Sequence, residues 1–199
     1  MERSASPRIF ESAALERLTR VHPALPVALF GPAIAWLAAV GFARMPALGA
    51  IALAFAGYLF WTLAEYWLHR TLFHLEPAHG FGARVHWLIH GVHHDHPRDR
   101  DRLVMPPAAS VPLALAFFGL FVLVLGSRPA LPFTAGFLAG YLVYDLTHFH
   151  LHHGRPRTRL GRRLRELHMR HHFEDDTRGF GVSVTWWDRV FGTSSRANR

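Results

Sequence analysis

Four apolar stretches run through the sequence and are separated by polar segments. They cover about residues 25–45, 47–68, 104–125 and 130–146. Each is close to the roughly 20 residues that a helix needs to cross about 30 Å of hydrocarbon. The pattern therefore predicts an all-α integral membrane protein whose four transmembrane helices form two hairpins.

The polar segments carry almost all of the positive charge. The chain has 22 basic residues, all of them arginine, and only Arg44 and Arg128 fall in the two short hairpin turns. The other arginines lie in segments 1–24, 69–103 and 147–199, which share one side of the membrane if four helices cross it. The positive-inside rule makes that side cytoplasmic. We expect the second and third of these segments to form a cytoplasmic helical cap.

The composition of the chain indicates how it is organised and which classes of partner it has. Residues 1–24 are expected to be a cytoplasmic segment and residues 25–199 a single membrane domain. The sequence has no cysteine, which excludes disulfides and thiolate metal sites within this chain. The formal net charge of +8 is explained by arginines that orient the helices and contact anionic lipid, so no nucleic-acid partner is expected. Arginine in place of lysine, with abundant alanine, favours a bacterial inner membrane.

Ten of the 16 histidines form an internal repeat. Four histidines recur at an offset of 78 residues, and a fifth pair is offset by 79. The first set is His69, His74, His90, His93 and His94, and the second is His148, His152, His168, His171 and His172. Each set follows a membrane hairpin and ends in a His-x-x-His-His triplet. The repeat predicts two related units that face each other around a shared site.

The spacing within each set favours metal coordination. The triplet that begins at His90 is spaced i, i+3, i+4 and lies on one helix face. His69 and His74 are five residues apart, so we expect the backbone between them to depart from a regular α-helix. Ten neutral imidazoles packed together need partners and ten charged ones repel, and metal ions remove both difficulties. We predict two ions with about five nitrogens each, although imidazole ligands alone leave Fe, Zn, Cu and Ni open.

Four more polar residues are candidates for a supporting role around the ions. Glu65 and Asp145 precede the first histidine of their sets by four and three residues, inside apolar stretches where a carboxylate is costly without a partner. We expect each to accept a hydrogen bond from a free ring N–H and so fix a tautomer. His86, on the face of His90, and His150 are candidates for a similar or occasional ligand role.

The histidine sets and the residues around them resemble the motifs of a known family. The pattern looks like the fatty acid hydroxylase and sterol desaturase superfamily, closest to its fatty acid (ceramide) 2-hydroxylase branch, over about residues 45–193. The matching text in the first half runs Glu65-Tyr66-Trp67-Leu68-His69-Arg70, then His90-Gly91-Val92-His93-His94, then Arg102-Leu103-Val104-Met105-Pro106-Pro107. In the second half it runs Tyr144-Asp145-Leu146-Thr147-His148, then His168 to His172, then Gly179-Phe180-Gly181-Val182 with Trp187-Asp188.

The resemblance implies an O2-dependent monooxygenase with two iron ions, which inserts one oxygen atom at carbon 2 of a long fatty acyl chain. The ten repeated histidines carry over as the metal ligands, and no catalytic residue is implied beyond the metal centre. Zinc is expected as a substitute in a purified sample, since it binds comparable sites at least as tightly. The aromatic residues near the ends of the second and fourth helices are candidates to line the acyl pocket or to form an interfacial belt. They are Trp61, Tyr66, Tyr141 and Tyr144.

The chain departs from the family's eukaryotic members at its N-terminus. Those members often carry a fused cytochrome b5 domain, whereas only about 24 residues precede the first apolar stretch here. We expect an external electron donor, either a cytochrome b5-like or a ferredoxin-like protein. Three other functions stay open: a sterol or carotenoid hydroxylase or desaturase, a histidine-lined metal transporter or store, and a purely structural membrane protein.

Overall fold

The structure is a computed structural model that describes residues 6–74 and 79–195. All regular secondary structure within those residues is helical, which confirms the predicted all-α class. Two π-helical turns, Leu68–Phe73 and Trp87–Gly91, and one 3₁₀ turn, Arg100–Arg102, adjoin the α-helices. The α-helices are α1 (Ala13–Leu18), α2 (Ala24–Arg44), α3 (Ala47–Trp67), α4 (Gly80–His86), α5 (Val92–Asp95), α6 (Pro107–Leu125), α7 (Ser127–His153), α8 (Arg159–Phe173) and α9 (Trp186–Val190).

Three stretches of the described chain are long and apolar enough to cross a membrane. They are Ala24–Arg44, Ala47–Phe73 and Arg100–Leu125, and they match the first three predicted transmembrane helices. The predicted fourth helix lies within α7, which is longer at both ends than the apolar stretch at 130–146. Its C-terminal part carries Asp145 and four histidines, and these lower the mean hydropathy of the helix.

Helix α7 occupies the centre of the bundle, in contact with α2, α3 and α6. Glycines allow α3 and α7 to cross with their backbones in contact. A Cβ atom at Gly136 would lie 1.7 Å from the carbonyl oxygen of Ala54, and one at Gly57 would lie 2.0 Å from that of Phe133. Both positions therefore require glycine. The crossing fixes the relative position of the two helices whose ends carry His69 and His148.

The sequence explains where the second hairpin turns. Gly126 joins α6 to α7 with a φ of +84°, a left-handed conformation that costs glycine little and other residues more. At the other end, α6 begins with Pro107 in its first turn, where the missing amide hydrogen would have no partner in the helix anyway. The shorter helices α4, α5, α8 and α9 come from the predicted cap segments.

Candidate metal centre

The π-helical turn after α3 brings the first histidine pair together. In a π-helix the hydrogen bonds run between residues five apart, so His69 and His74 face the same side although their spacing does not suit an α-helix. Their ring centroids are 5.0 Å apart. The predicted departure from regular helix between them is confirmed as the turn Leu68–Phe73.

The ten repeated histidines form two groups of five, and within each group the candidate ligand atoms lie within 4.8 Å of one another. The first cluster consists of His69, His74, His90, His94 and His171. The second cluster consists of His93, His148, His152, His168 and His172. The structure therefore brings together all ten histidines of the repeat, and their division into two groups of five agrees with the prediction of two ions with about five nitrogens each.

Each cluster takes four histidines from one repeat unit and one from the other. His93 lies in the second cluster and His171 in the first, although each sits between histidines of its own triplet. Positions i and i+4 of a helix point in similar directions, whereas i+3 points about 100° away from i+4. The middle histidine of each triplet therefore crosses to the opposite cluster, which the repeat alone did not reveal.

Distances between ring nitrogens test whether the clusters suit a metal ion. In the first cluster, Nε2 of His90 lies 3.0 Å from Nε2 of His94. In the second, Nε2 of His168 lies 2.8 Å from that of His152 and 3.1 Å from that of His172. Two nitrogens bonded at about 2.1 Å to one ion with an angle of about 90° are about 3 Å apart. The measured distances between ring nitrogens therefore fit neighbouring imidazoles bound to one metal ion in each cluster.

Burial keeps the histidines of the clusters neutral. Desolvation, followed by the neighbouring histidines, holds the pKa of His90, His93 and His168 well below its usual value. The Nε2 atoms of His69 and His148 are buried and have no hydrogen-bond partner among the described residues. Neutral rings with unused lone pairs at the centre of a cluster are the state in which imidazole binds a metal.

Backbone carbonyls set the tautomer of two histidines in the first cluster. Nδ1 of His69 is 2.6 Å from the carbonyl oxygen of Phe180, and Nδ1 of His171 is 2.7 Å from that of Arg178. A carbonyl oxygen only accepts, so each Nδ1 carries the hydrogen and each Nε2 keeps a lone pair for the cluster. Partners of this kind orient a ligand ring and raise its basicity. These partners are backbone carbonyls and not the carboxylates expected from the sequence.

Glu65 has different partners from those expected. Its carboxylate accepts hydrogen bonds from the amides of Val182 and Ser183, both at 2.8 Å, and from the Ser183 hydroxyl. It is 2% exposed and contacts no histidine ring N–H through these bonds. Glu65 instead ties α3 to residues 178–193, which we call the closing segment. Glu65 therefore does not accept from a histidine ring, although the sequence predicts that it does. It acts indirectly, because the closing segment that it holds supplies the carbonyls that orient His69 and His171.

Asp188 is a supporting residue that the spacing of the histidines does not predict. Its Oδ1 accepts from the amide of Phe180 and the hydroxyl of Thr193, and its Oδ2 accepts from the amide of Gly181, all at 2.9 Å. The Gly181 amide belongs to the same peptide group as the Phe180 carbonyl that accepts from His69. Asp188 therefore holds the peptide that orients this ring. Its only signal in the sequence was its place in the family-like Trp187-Asp188 pair.

The three other supporting candidates lie outside both clusters. The hydroxyl of Tyr141 donates to Asp145 at 3.4 Å, and this carboxylate is 2% exposed within α7. Nε2 of His86 is 2.5 Å from the carbonyl oxygen of Phe73, and the ring lines the same cavity as His74 and His90 without belonging to either cluster. His150 is exposed on α7. None of the contacts described for Asp145, His86 and His150 is the predicted hydrogen bond to a ring of a clustered histidine.

Three of the four aromatic candidates pack together beside the second cluster. The ring of Trp61 lies 5.3 Å from that of Tyr141 and 5.8 Å from that of Tyr144, and Tyr144 lies 5.7 Å from His148. All three aromatic rings are buried, so they form no interfacial belt. Trp61 and Tyr141 line a cavity of about 20 Å³ between α3, α6 and α7. Tyr66 is separate, with its hydroxyl 2.9 Å from that of Thr193 in the closing segment.

A polar opening lies beside the first cluster. This cavity of about 350 Å³ is lined by His74, His90 and His94 and, at its outer side, by Asp95 and Asp176. The first cluster can therefore be reached from the polar side of the molecule. The aromatic group reaches the second cluster from within the helical bundle.

Comparison with known proteins gives consistent matches. A family model described as fatty acid hydroxylase matches residues 54–193. A dihydroceramide fatty acyl 2-hydroxylase of Arabidopsis thaliana is 40% identical over 191 residues, which cover 94% of this chain and 79% of the relative. A ceramide very long chain fatty acid hydroxylase of Saccharomyces cerevisiae is 41% identical over 169 residues, covering 80% and 44%. A fatty acid 2-hydroxylase of Mus musculus is 41% identical over 155 residues, covering 75% and 41%.

A solved structure supports the same relationship. It is that of full-length scs7p, in which only the hydroxylase domain is visible, and it matches with a TM-score of 0.92 at 36% identity, covering 97% of this chain and 74% of that one. The chain spans less than half the length of the yeast and mouse relatives. These relatives come from a plant, a yeast and a mammal, so they do not bear out the expected bacterial inner membrane, whereas the three apolar helices support a membrane protein.

Proposed function

The chain belongs to the fatty acid hydroxylase family, and from this premise we propose that it hydroxylates a long fatty acyl chain at carbon 2. The substrate is a free acid, a thioester or an acyl group of a sphingolipid. The observation that carries the proposal is the pair of five-histidine clusters, in a chain whose relatives are named for 2-hydroxylation of fatty acids and ceramides.

We propose that the ten histidines hold two iron ions, one in each cluster. Bound iron supplies the activation of O2, which no amino-acid side chain performs. The overall reaction consumes the substrate C–H bond, O2, two electrons and two protons, and gives a C–OH group and water. Closely spaced neutral imidazoles support this assignment because they bind iron without first losing protons. Zinc binds the same donor set and is the expected contaminant of a purified sample.

The chain's own residues orient and shield the site. The carbonyls of Phe180 and Arg178 hold His69 and His171 with Nε2 facing the cluster. The aromatic group of Trp61, Tyr141 and Tyr144 leads from the apolar bundle to His148. We propose that the acyl chain enters sideways from the lipid between α6 and α7 and lies along this group. Tyr66 takes no part in this path, since it packs against the closing segment.

The membrane arrangement follows from the same proposal. We propose that α7 is the fourth transmembrane helix, surrounded by α2, α3 and α6, and that the clusters and both termini lie on the cytoplasmic side. The arginine distribution supports this orientation through the positive-inside rule. A helix covered by its neighbours needs less apolar surface of its own than one facing lipid, and this accounts for the lower mean hydropathy of α7.

Electrons are proposed to come from a separate protein of the cytochrome b5 or ferredoxin type. Helix α8 supports this because it carries His168, His171 and His172 on its inner side and exposed arginines, including Arg159 and Arg162, on its outer side. An acidic donor bound there would contact the same helix that carries three of the clustered histidines. Turnover with a reconstituted donor should then fall as salt is raised, and a salt-independent rate would argue against this docking site.

Lipid analysis of a host that expresses the full chain tests the function. We expect new 2-hydroxy fatty acyl species by mass spectrometry, no such species with His171→Ala, and full activity with His22→Ala, since His22 is exposed and outside both clusters. Altered sterols or carotenoids without 2-hydroxy species would reject the proposal in favour of another lipid hydroxylase. Metal uptake into vesicles without any altered lipid would favour a transporter.

A further inference from the structure

Four large exposed apolar side chains belong to the end of α3 and to α9 with the residue that follows it. Trp67 is 40% exposed, and Trp186, Val190 and Phe191 are 45%, 66% and 37% exposed. Trp186 and Val190 are four residues apart, so they share one face of α9. The ring of Phe191 lies 5.1 Å from that of Trp67 and joins α9 to α3. We call these four side chains the apolar face.

The contacts of α9 place it beside the membrane-crossing stretch of α3. Nε1 of Trp187 donates to Oγ1 of Thr62 at 3.0 Å, and Thr62 lies within the candidate span Ala47–Phe73. Arg70 is the first basic residue after α3. It follows Thr62 by eight residues, which is about 12 Å along a helix axis. Helix α9 therefore lies at the level of the last turns of the span and not beyond them.

Arg70 has the contacts expected at the level of lipid headgroups. Its guanidinium lies over the rings of Tyr66 and Trp67, at 5.9 and 5.5 Å, and its Nη1 donates to the Tyr66 hydroxyl at 2.9 Å. Tyrosine and tryptophan are enriched where hydrocarbon meets the headgroups, and arginine side chains extend from that boundary toward water. The apolar face therefore begins where α3 passes from hydrocarbon to headgroups.

The position of the apolar face favours the lipid bilayer as its partner. Trp67 lies seven residues, or two turns, beyond Phe60, so both are on one side of α3. Phe60 is exposed on the candidate span and faces lipid in the proposed membrane arrangement. The face thus continues a lipid-facing surface, and large exposed apolar patches mark sites of interaction. A protein would have to enter the membrane to reach the same side chains.

We propose that the apolar face inserts into the headgroup boundary of the bilayer and holds the closing segment on the membrane. This contact goes beyond the proposed hydroxylation, because it requires α3 to cross the membrane but does not depend on turnover. It also supports the first cluster. Helix α9 carries Asp188, which holds the peptide whose carbonyl orients His69, so lipid contact with α9 fixes the position of that peptide.

Single cysteines test where the apolar face lies. The chain has no cysteine of its own, so Val190→Cys and Trp186→Cys each provide one thiol for an environment-sensitive fluorophore. The full, metal-loaded chain is placed in phosphatidylcholine vesicles. Quenching is measured with iodide on both sides of the membrane, and separately with a spin label near the carbonyl of the lipid. We expect strong quenching by the lipid label and little by iodide at both positions.

Two further positions serve as controls. Arg162→Cys lies on the exposed side of α8, and its fluorophore should be quenched by iodide and hardly by lipid. Phe55→Cys replaces a side chain that is 64% exposed on α3, and its fluorophore should be quenched most by a spin label at the middle of the acyl chain.

Three outcomes would overturn the proposal. The first is iodide quenching at the two α9 positions equal to that at Arg162→Cys. The second is protection from iodide without quenching by lipid, which would indicate a protein partner instead. The third is a lack of lipid quenching at Phe55→Cys, which would reject the membrane arrangement itself and this contact with it.

The support of the first cluster is tested by adding a charge to the apolar face. Val190→Glu should lift α9 from the bilayer and lower the chelator concentration that removes one of the two ions by several-fold. Val190→Leu is the control, since it keeps the surface apolar and should behave as the wild type. Release of both ions together would refute the link to the first cluster. Wild-type metal retention would also refute it, in a Val190→Glu chain whose fluorophore at Trp186→Cys has become accessible to iodide.

Discussion

Replacement of Asp188 by Asn should weaken metal binding in one cluster only. If the Oδ1 contacts with Phe180 and Thr193 are kept, the new amide group replaces Oδ2 and faces the amide of Gly181, so that two donors meet. A buried amide left without an acceptor costs about 1–3 kcal/mol. The affected peptide is the one whose carbonyl accepts from His69. Loss of such a partner typically lowers metal affinity about 10–100-fold.

The assay is metal content at rising chelator concentration, measured on the purified chain together with its thermal unfolding. The first cluster should lose its ion at about 10–100-fold lower chelator concentration than in the wild type, while the second cluster keeps its ion. Asp99→Asn is the matched control, since Asp99 is also a buried carboxylate, 6% exposed, but pairs with Arg20 and Arg102, away from both clusters. It should lower the free energy of unfolding without separating the two ions. Equal release of both ions from the Asp188 variant would refute the reasoning.

Two further results are expected. His171→Ala should empty the first cluster and His93→Ala the second. The double variant with His171→Ala and His69→Ala should therefore lose only one ion, whereas the double variant with His171→Ala and His148→Ala should lose both. Loss of both ions from the first double variant and of one ion from the second would show that the ligand sets follow the sequence repeat. Burial lowers the pKa of His74 to about 3, so its ring stays neutral as the pH falls through the usual imidazole value of about 6.5. Metal measured after dialysis should therefore persist below pH 6.5 and be lost toward pH 3, and half-release near 6.5 would contradict this.

The membrane helices show how far local pattern reaches. Apolar length predicted three stretches that the structure gives as candidate spans, and prolines and glycines marked their turns. The fourth helix was predicted as a separate apolar segment, but it continues to His153 and lies in the middle of the bundle. Which helix is central depends on the close crossing at Gly57 and Gly136. A glycine in a sequence gives no indication of the backbone that will lie against it.

The candidate metal centre also has features that the sequence predicts and features that only the tertiary structure determines. Residue type and helical spacing determined the ten candidate ligands and the irregular backbone between His69 and His74, because both follow from geometry within a few residues. Tertiary structure decided that His93 and His171 exchange clusters, since this depends on how two triplets face each other. It also decided that Glu65 holds the closing segment and leaves ring orientation to backbone carbonyls. Every residue has a backbone carbonyl, so the amino-acid sequence does not indicate which carbonyls will accept from a histidine. Only the folded chain determines this.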